Sequence, residues 1–240
     1  MLKNTVIVDA HRGASVSFPE NTLIAFEGAI ASGTDSVEFD VQLSSDGIPV
    51  VIHDETVDRT TDGSGEVANM TLSELKSLRA NYGRPEFAAE RIPTLAEAAA
   101  LVPDDIVLAL ELKTDRFLEP GVCQRLAAEL DQIGIRGRSV VLSFSLPRLQ
   151  VVRAVAPDIP IGWITLSRPW PLAGVQMLGP LWPLLLINPL YVRLAQRRGQ
   201  VVCPLDPMPD PRLGLYRRLG CDAVLSNDPA ATARALGRQE

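Results

Sequence analysis

Histidine is the scarcest chemically versatile residue in this chain, with only His11 and His53 among 240 residues. Cysteine is nearly as rare: Cys123, Cys203 and Cys221, with no Cys-x-x-Cys spacing. An odd, scattered set of thiols argues against a disulfide framework and fits a reducing cytoplasm, where the three read as small core residues. An excess of positive charge is also missing. The formal charge is −6, which gives no reason to expect a nucleic-acid partner. No apolar run is long enough to span a bilayer; the longest, around Leu181 to Pro189, is broken by Pro183. The N-terminal stretch MLKNTVIVDAHRG lacks the apolar core of a secretory leader, so none is expected. There is no internal repeat and no low-complexity tract.

What the chain does have is apolar residues, 46% of the total, enough for a full core. They fall into runs rich in Val, Ile and Leu: 5–10, 35–43, 105–113, 139–144, 160–165, 183–188, 200–205 and 222–226. Near-continuous apolar strands separated by helices are the pattern of a parallel sheet covered on both faces. Eight such units over this length predict an α/β fold, a closed (β/α)8 TIM barrel forming one domain over 1–240. A doubly wound open sheet is the alternative.

Helix signals fill most of the gaps. Asn21 or Thr22 caps 23–31. Thr94 with Glu97 forms a capping box for 95–101. Pro120 opens a helix to Gln132 that Gly134 ends, Pro147 and Pro157 bracket 146–156, and Pro229 opens the last helix. One run breaks the alternation. IPVVIHD follows the second strand after only SSDG, too short for a parallel crossover, so it reads as a hairpin turning on Asp46-Gly47. That register places His53 beside Asp40. The polar segment at about 55–92, with a short helix behind Thr71, reads as a small insertion after the second strand, over the barrel mouth.

The chemistry concentrates at one end of this sheet. Glu38 and Asp40 are two apart on a strand and share a face, as do Glu111 and Lys113. His11 ends the first strand. Three carboxylates converging on one point repel unless a cation lies between them, and an all-oxygen set suits Mg2+, Ca2+ or Mn2+ better than zinc. Two histidines suit general acid–base work, and Arg12 and Lys113 suit an anionic substrate. Together these groups describe phosphodiester cleavage better than glycoside hydrolysis.

The motifs His11-Arg12-Gly13, Pro19-Glu20-Asn21-Thr22, Glu38-Phe39-Asp40, Asp46-Gly47, His53-Asp54, the run Asp58 to Gly63, Glu111-Leu112-Lys113, Ser143-Phe144 and Asn227-Asp228-Pro229 closely resemble the glycerophosphodiester phosphodiesterase family. The resemblance is dense through Ser145 and thinner beyond. It implies a (β/α)8 barrel with a small insertion. Glu38, Asp40 and Glu111 would ligate one divalent cation, His11 and His53 would form the acid–base pair, and Arg12 and Lys113 would hold the phosphate. The family cleaves glycerophosphodiesters to sn-glycerol 3-phosphate and an alcohol.

The sequence departs from the family at the seventh strand, where Pro204 and Leu205 stand in place of the usual Trp-Thr pair. The segment 168–188 is also unusually apolar, and reads either as a buried barrel helix or as a rim for peripheral membrane contact or an acyl chain. Lysophospholipase D-type cleavage of lysophospholipids at the same site is therefore the second reading. A barrel that binds phosphodiesters without cutting them is the third, but its mark, a missing catalytic group, is absent.

Overall fold

The computed structural model describes residues 6–238. Thr5 of the first predicted strand, and residues 1–5 of the stretch read for a leader, lie outside the described residues. The strands are β1 (Ile7–His11), β2 (Ser36–Leu43), β3 (Pro49–Val51), β4 (Val107–Leu112), β5 (Ser139–Ser143), β6 (Ile161–Thr165), β7 (Met177–Pro180), β8 (Val201–Val202) and β9 (Ala223–Ser226). The ladder runs β8-β7-β6-β5-β4-β2-β1-β9, all parallel, with β3 hung antiparallel on β2. Asp222 stitches the seam between β8 and β9. The backbone N–H of Asp222 donates to Val202 O at 3.1 Å, and its carboxylate accepts from Val202 N at 2.9 Å. The result is a nearly closed eight-strand parallel barrel wrapped by helices.

The helices are α1 (Leu23–Ala31), α2 (Leu72–Ser77), α3 (Leu95–Leu101), α4 (Pro120–Gln132), α5 (Leu146–Val155), α6 (Leu184–Ile187), α7 (Tyr191–Gln196), α8 (Leu213–Leu219) and α9 (Pro229–Ala235). Their ends follow local chemistry. Thr22 caps α1, and full capping boxes, Thr71 with Glu74 and Thr94 with Glu97, open α2 and α3. Every residue of β2 is buried. Its outward side chains Val37, Phe39 and Val41 join the main core, where the Phe39 ring meets Phe26 of α1 edge-on at 4.5 Å. The alternate set, Glu38, Asp40 and Gln42, faces the other way. One strand thus anchors the helix layer and supplies the interior chemistry.

Between β3 and α3 the chain forms a satellite cluster of its own, with Val57, Val67, Leu75 and Ile92 packed on Val50 and Ile52. The three cysteines are buried free thiols.

The structure corrects three expectations. Residues 183–188 do not form a strand: Pro183 takes a helical conformation, α6 follows, and the barrel strand is the shorter 177–180. Leu186 and Ile187 are exposed, so apolarity there does not reflect burial. The predicted strand 200–205 is reduced to 201–202, although bonds from Cys203 N to Leu178 O and from Leu205 N to Pro180 O continue it along β7; Pro204 between them has no N–H to offer the β9 side, to which Val202 N donates. The hairpin register also shifts. The expected two-residue turn pairs Asp40 with His53, but the turn holds three residues, closed by bonds from Gly47 N to Ser44 O and from Ser44 N to Ile48 O. Gly47, at φ 84°, takes the left-handed position such a loop requires. Ile52 therefore faces Asp40, its N–H donating to Asp40 O at 2.9 Å, and His53 falls one position beyond.

Candidate active site

Strand register assembles the site. In the β1–β2 ladder His11 lies beside Glu38, and in the β2–β4 ladder Asp40 lies beside Glu111. In-register neighbours in a parallel sheet project to the same face, so four side chains distant in sequence meet at the C-terminal end of the barrel. Glu38, Asp40 and Glu111 each bring a carboxylate oxygen within 4.8 Å of the others, and all three are buried.

Two cations share this space. Lys113 Nζ lies 2.6 Å from Glu111 Oε1 and 3.1 Å from Asp40 Oδ1, and Arg12 Nε lies 3.1 Å from Asp40 Oδ2. The Arg12 backbone N–H also donates to Glu38 Oε2 at 3.1 Å, from a residue at φ 59°. That left-handed turn at Arg12, followed by Gly13 at φ 81°, aims the peptide at the carboxylate. A side chain on Gly13 would strike the backbone of Ala25 at 2.6 Å, so only glycine fits there.

The electrostatics divide the three acids. Burial opposes ionisation of Asp40, but Lys113 and Arg12 outweigh it and bring its pKa down to about 2. Burial pushes Glu38 well above the usual carboxylate range, and the charges of Asp40 and Glu111 add to the shift. Burial likewise raises Glu111, against the pull of Lys113. Glu38 Oε1 is buried with no hydrogen-bond partner. A buried, unpartnered acceptor among three carboxylates is what a hard divalent cation satisfies, so the donor set fits one.

Each histidine is anchored through Nδ1. His11 Nδ1 lies 2.6 Å from Asn227 Oδ1, and His53 Nδ1 lies 2.6 Å from Asp54 Oδ1. An ionised carboxylate only accepts, so His53 Nδ1 donates and Nε2 is left for other chemistry. With Asn227 Oδ1 accepting, His11 has the same tautomer. Burial, with the nearby Arg12 charge, lowers His11 to about 4, which keeps it neutral near pH 7.

Behind His53 runs a chain of ion pairs that sequence reasoning did not resolve. Glu20 Oε1 binds Arg12 Nη1 at 2.9 Å and Arg59 Nη2 at 2.8 Å. Arg59 Nε in turn binds Asp54 Oδ2 at 2.5 Å, and Asp54 holds His53. By sequence Asn21 and Thr22 are alternative caps of α1, and Glu20 appears only within its motif. Thr22 is the cap, and Asn21, at φ 57°, sends its amide to Asp40 Oδ2 at 2.8 Å. Asn227 and Asp54 had a signal only inside the quoted motifs; Arg59 had one in the run Asp58 to Gly63.

An open cleft of about 440 Å3, lined by Gln42, His53, Asp54, Glu55, Thr56 and Lys113, gives access to this cluster. A much smaller cavity of about 30 Å3 lies inside the barrel beneath it, bounded by Asp9, His11, Glu38, Glu111 and apolar strand residues. The larger space is open to solvent and carries His53 and Lys113 on its wall. All seven predicted site residues border one or the other space or pair directly with those that do.

The chain matches the model of the glycerophosphoryl diester phosphodiesterase family over residues 11–231. It is 38% identical over 229 residues to a glycerophosphodiester phosphodiesterase of Caldanaerobacter subterraneus subsp. tengcongensis, covering 93% of this chain and 94% of that one. Human glycerophosphodiester phosphodiesterase 1 is 38% identical over 168 residues, which is 68% of this chain and 50% of the human protein. Among solved structures, a phosphodiesterase of Oleispira antarctica in complex with the product sn-glycerol-3-phosphate superposes with a TM-score of 0.88 at 31% identity, covering 97% of both chains. A glycerophosphodiester phosphodiesterase of Agrobacterium tumefaciens gives 0.81 at 26% identity, with coverage of 95% and 100%. The barrel, the acid cluster at its mouth and these matches along nearly the whole chain lead to one conclusion: the chain belongs to the glycerophosphoryl diester phosphodiesterase family and is an enzyme of that class.

Proposed function

We propose that the enzyme hydrolyses glycerophosphodiesters to sn-glycerol 3-phosphate and an alcohol, with one divalent cation, Mg2+, Ca2+ or Mn2+, held by Glu38, Asp40 and Glu111, and with His11 and His53 as the acid–base pair. The site works within a single domain in which residues 55–92 are an insertion. The observation that carries the reading is the unpartnered, buried Glu38 oxygen within a triple carboxylate cluster, beside two histidines whose Nδ1 atoms are already engaged. Charge supports it too. Ionised as cation ligands, the three carboxylates against Arg12 and Lys113 sum to one net negative charge, and a dication reverses that sign in favour of a phosphodiester anion.

When bound, the cation supplies positive charge to the phosphate oxygens. The protein's own groups do the rest. Arg12 and Lys113 orient the phosphate and oppose the charge that builds on it. His11, neutral at Nε2, accepts the proton of the attacking hydroxyl, whether from water or from the substrate's neighbouring hydroxyl. His53 enters the step doubly protonated, Nδ1–H held by the Asp54 carboxylate, and gives its Nε2 proton to the departing alkoxide; solvent then takes the proton from His11 and restores that of His53. A positioned acid or base contributes roughly 10²–10⁴-fold. His11→Ala and His53→Ala are therefore each expected to lower kcat on glycerophosphocholine by that order, with an unchanged circular-dichroism spectrum. Near-normal turnover in both variants would end the proposal. Lysophospholipid cleavage at the same site is a second reading, favoured by exposed Trp170 and Ile187 near the mouth; relative kcat/KM on glycerophosphocholine and lysophosphatidylcholine decides between them.

A further inference from the structure

The part of the barrel mouth above β6, β7 and β8 carries side chains that phosphodiester chemistry does not use. Leu166, Trp170, Leu186, Ile187 and Met208 are 57%, 58%, 55%, 68% and 55% exposed. All five follow the C-terminal ends of those three strands, so they stand on the same face as the cleft. They are held together. Asn188 Nδ2 donates to Pro169 O at 2.7 Å, fixing the Trp170 loop against the end of α6. Arg212 lies over the Trp182 ring at 4.7 Å and donates to Met208 O at 2.7 Å. Phe144, 41% exposed, joins this rim to the site, its ring 5.9 Å from Lys113 Nζ.

Charge is segregated over the same region. From residue 159 to residue 205 there is no Asp, Glu or Lys, but there are four arginines: Arg168, Arg193, Arg197 and Arg198. Arg197 and Arg198 immediately precede β8 and lie toward the opposite end of the barrel, which leaves Arg168 and Arg193 for the mouth. None of these four arginines makes an ion pair among the described residues. Arg168 and Arg193 are exposed, the first two residues before Trp170 on the loop after β6, the second six residues after Ile187 in the first turn of α7.

We propose that this rim docks on a lipid bilayer bearing anionic headgroups, with Trp170 and Ile187 entering the headgroup–acyl boundary and Arg168 and Arg193 meeting lipid phosphates. Exposed apolar residues flanked by arginine match that surface; of the acids beside Met208, Asp206 is buried and paired with Arg212, and Asp210 accepts from Thr232. A second copy of the chain is a poorer occupant, because a two-fold contact would set arginines against arginines. Docking would turn the open cleft toward the membrane, where a diester with an acyl tail resides. The inference does not depend on turnover.

The test is flotation of the full-length chain with phosphatidylcholine vesicles, with and without about a third phosphatidylglycerol. Binding is expected only to the anionic vesicles, weakening as salt is raised. Trp170→Ser with Ile187→Ser is expected to lower the partition coefficient at least about tenfold. Arg168→Glu with Arg193→Glu should remove the anionic preference while leaving the apolar face intact. Both pairs should retain glycerophosphocholine hydrolysis, which reports the fold. Absence of wild-type binding, equal binding by the serine variant, or a change in oligomeric state without a change in vesicle binding would each overturn the proposal. Loss of hydrolysis by the wild type would instead strike the catalytic reading and leave this one standing.

Discussion

Asp9 offers a sharp test of how the barrel interior treats charge. It lies on β1 two residues before His11, is 2% exposed, and has one carboxylate oxygen without a partner. Burial raises its pKa from 3.8 to about 6, with the Ser36 hydrogen bond working against the shift and Asp35 adding to it. The native state therefore binds a proton more tightly than the unfolded chain. Below pH 3.8 both states are protonated and the group is neutral in the balance. Between 3.8 and about 6 the unfolded chain loses its proton first, so stability falls as pH rises. Above that range the native fold carries the whole cost, roughly two pH units at 1.36 kcal/mol each, or about 3 kcal/mol. Asp9→Asn keeps the shape and removes the titration. Urea unfolding of both proteins with chelator present, from about pH 4 to pH 8, isolates the effect, because every other titrating group cancels in the difference. The variant's stability relative to wild type should climb by about 2.5 kcal/mol across that range, the rest of the cost being already present at about pH 4. A pH-independent difference would show that Asp9 is solvated or paired, and the reasoning from burial would fail.

Arg59→Ala should lower kcat about tenfold with little change in KM, because Arg59 reaches His53 only through Asp54. Arg59→Lys should recover only part, since Lys cannot bridge Glu20 and Asp54 as a fork; an effect on KM alone would contradict a positioning role. Gly13→Ala should cost at least about 2 kcal/mol in urea unfolding, from the left-handed backbone and the collision with Ala25; unaltered stability would mean α1 can move away. Glu38→Gln should weaken Mg2+ or Ca2+ binding at least about tenfold by calorimetry, and unchanged affinity would place the cation elsewhere.

Much of the fold was readable because local chemistry wrote it. Thr94 with Glu97 marks the start of α3 by two reciprocal hydrogen bonds that need no tertiary partner. The alternation Val37, Glu38, Phe39, Asp40, Val41 fixes which residues of β2 share a face. What failed to read depended on distant partners. MLGP is too short and too weakly patterned to announce a strand, and becomes one only because β6 lies beside it in register. PLLLIN looks like a strand by composition, yet Leu186 and Ile187 lie at a rim where apolarity is not burial. Glu20 and Arg59, thirty-nine positions apart, meet only after the insertion folds over the mouth.

By itself, then, the sequence determined the barrel, the identity of the acids and imidazoles, and their placement at strand ends, because strand periodicity and capping act over a few residues. Tertiary structure alone decided which of them touch. Ladder register set His11 beside Glu38 and Asp40 beside Glu111, one left-handed glycine moved His53 by a position, and burial pushed Glu38 and Glu111 high while Lys113 and Arg12 held Asp40 low. Desolvation and register are properties of the assembled fold, since both depend on what the rest of the chain brings alongside.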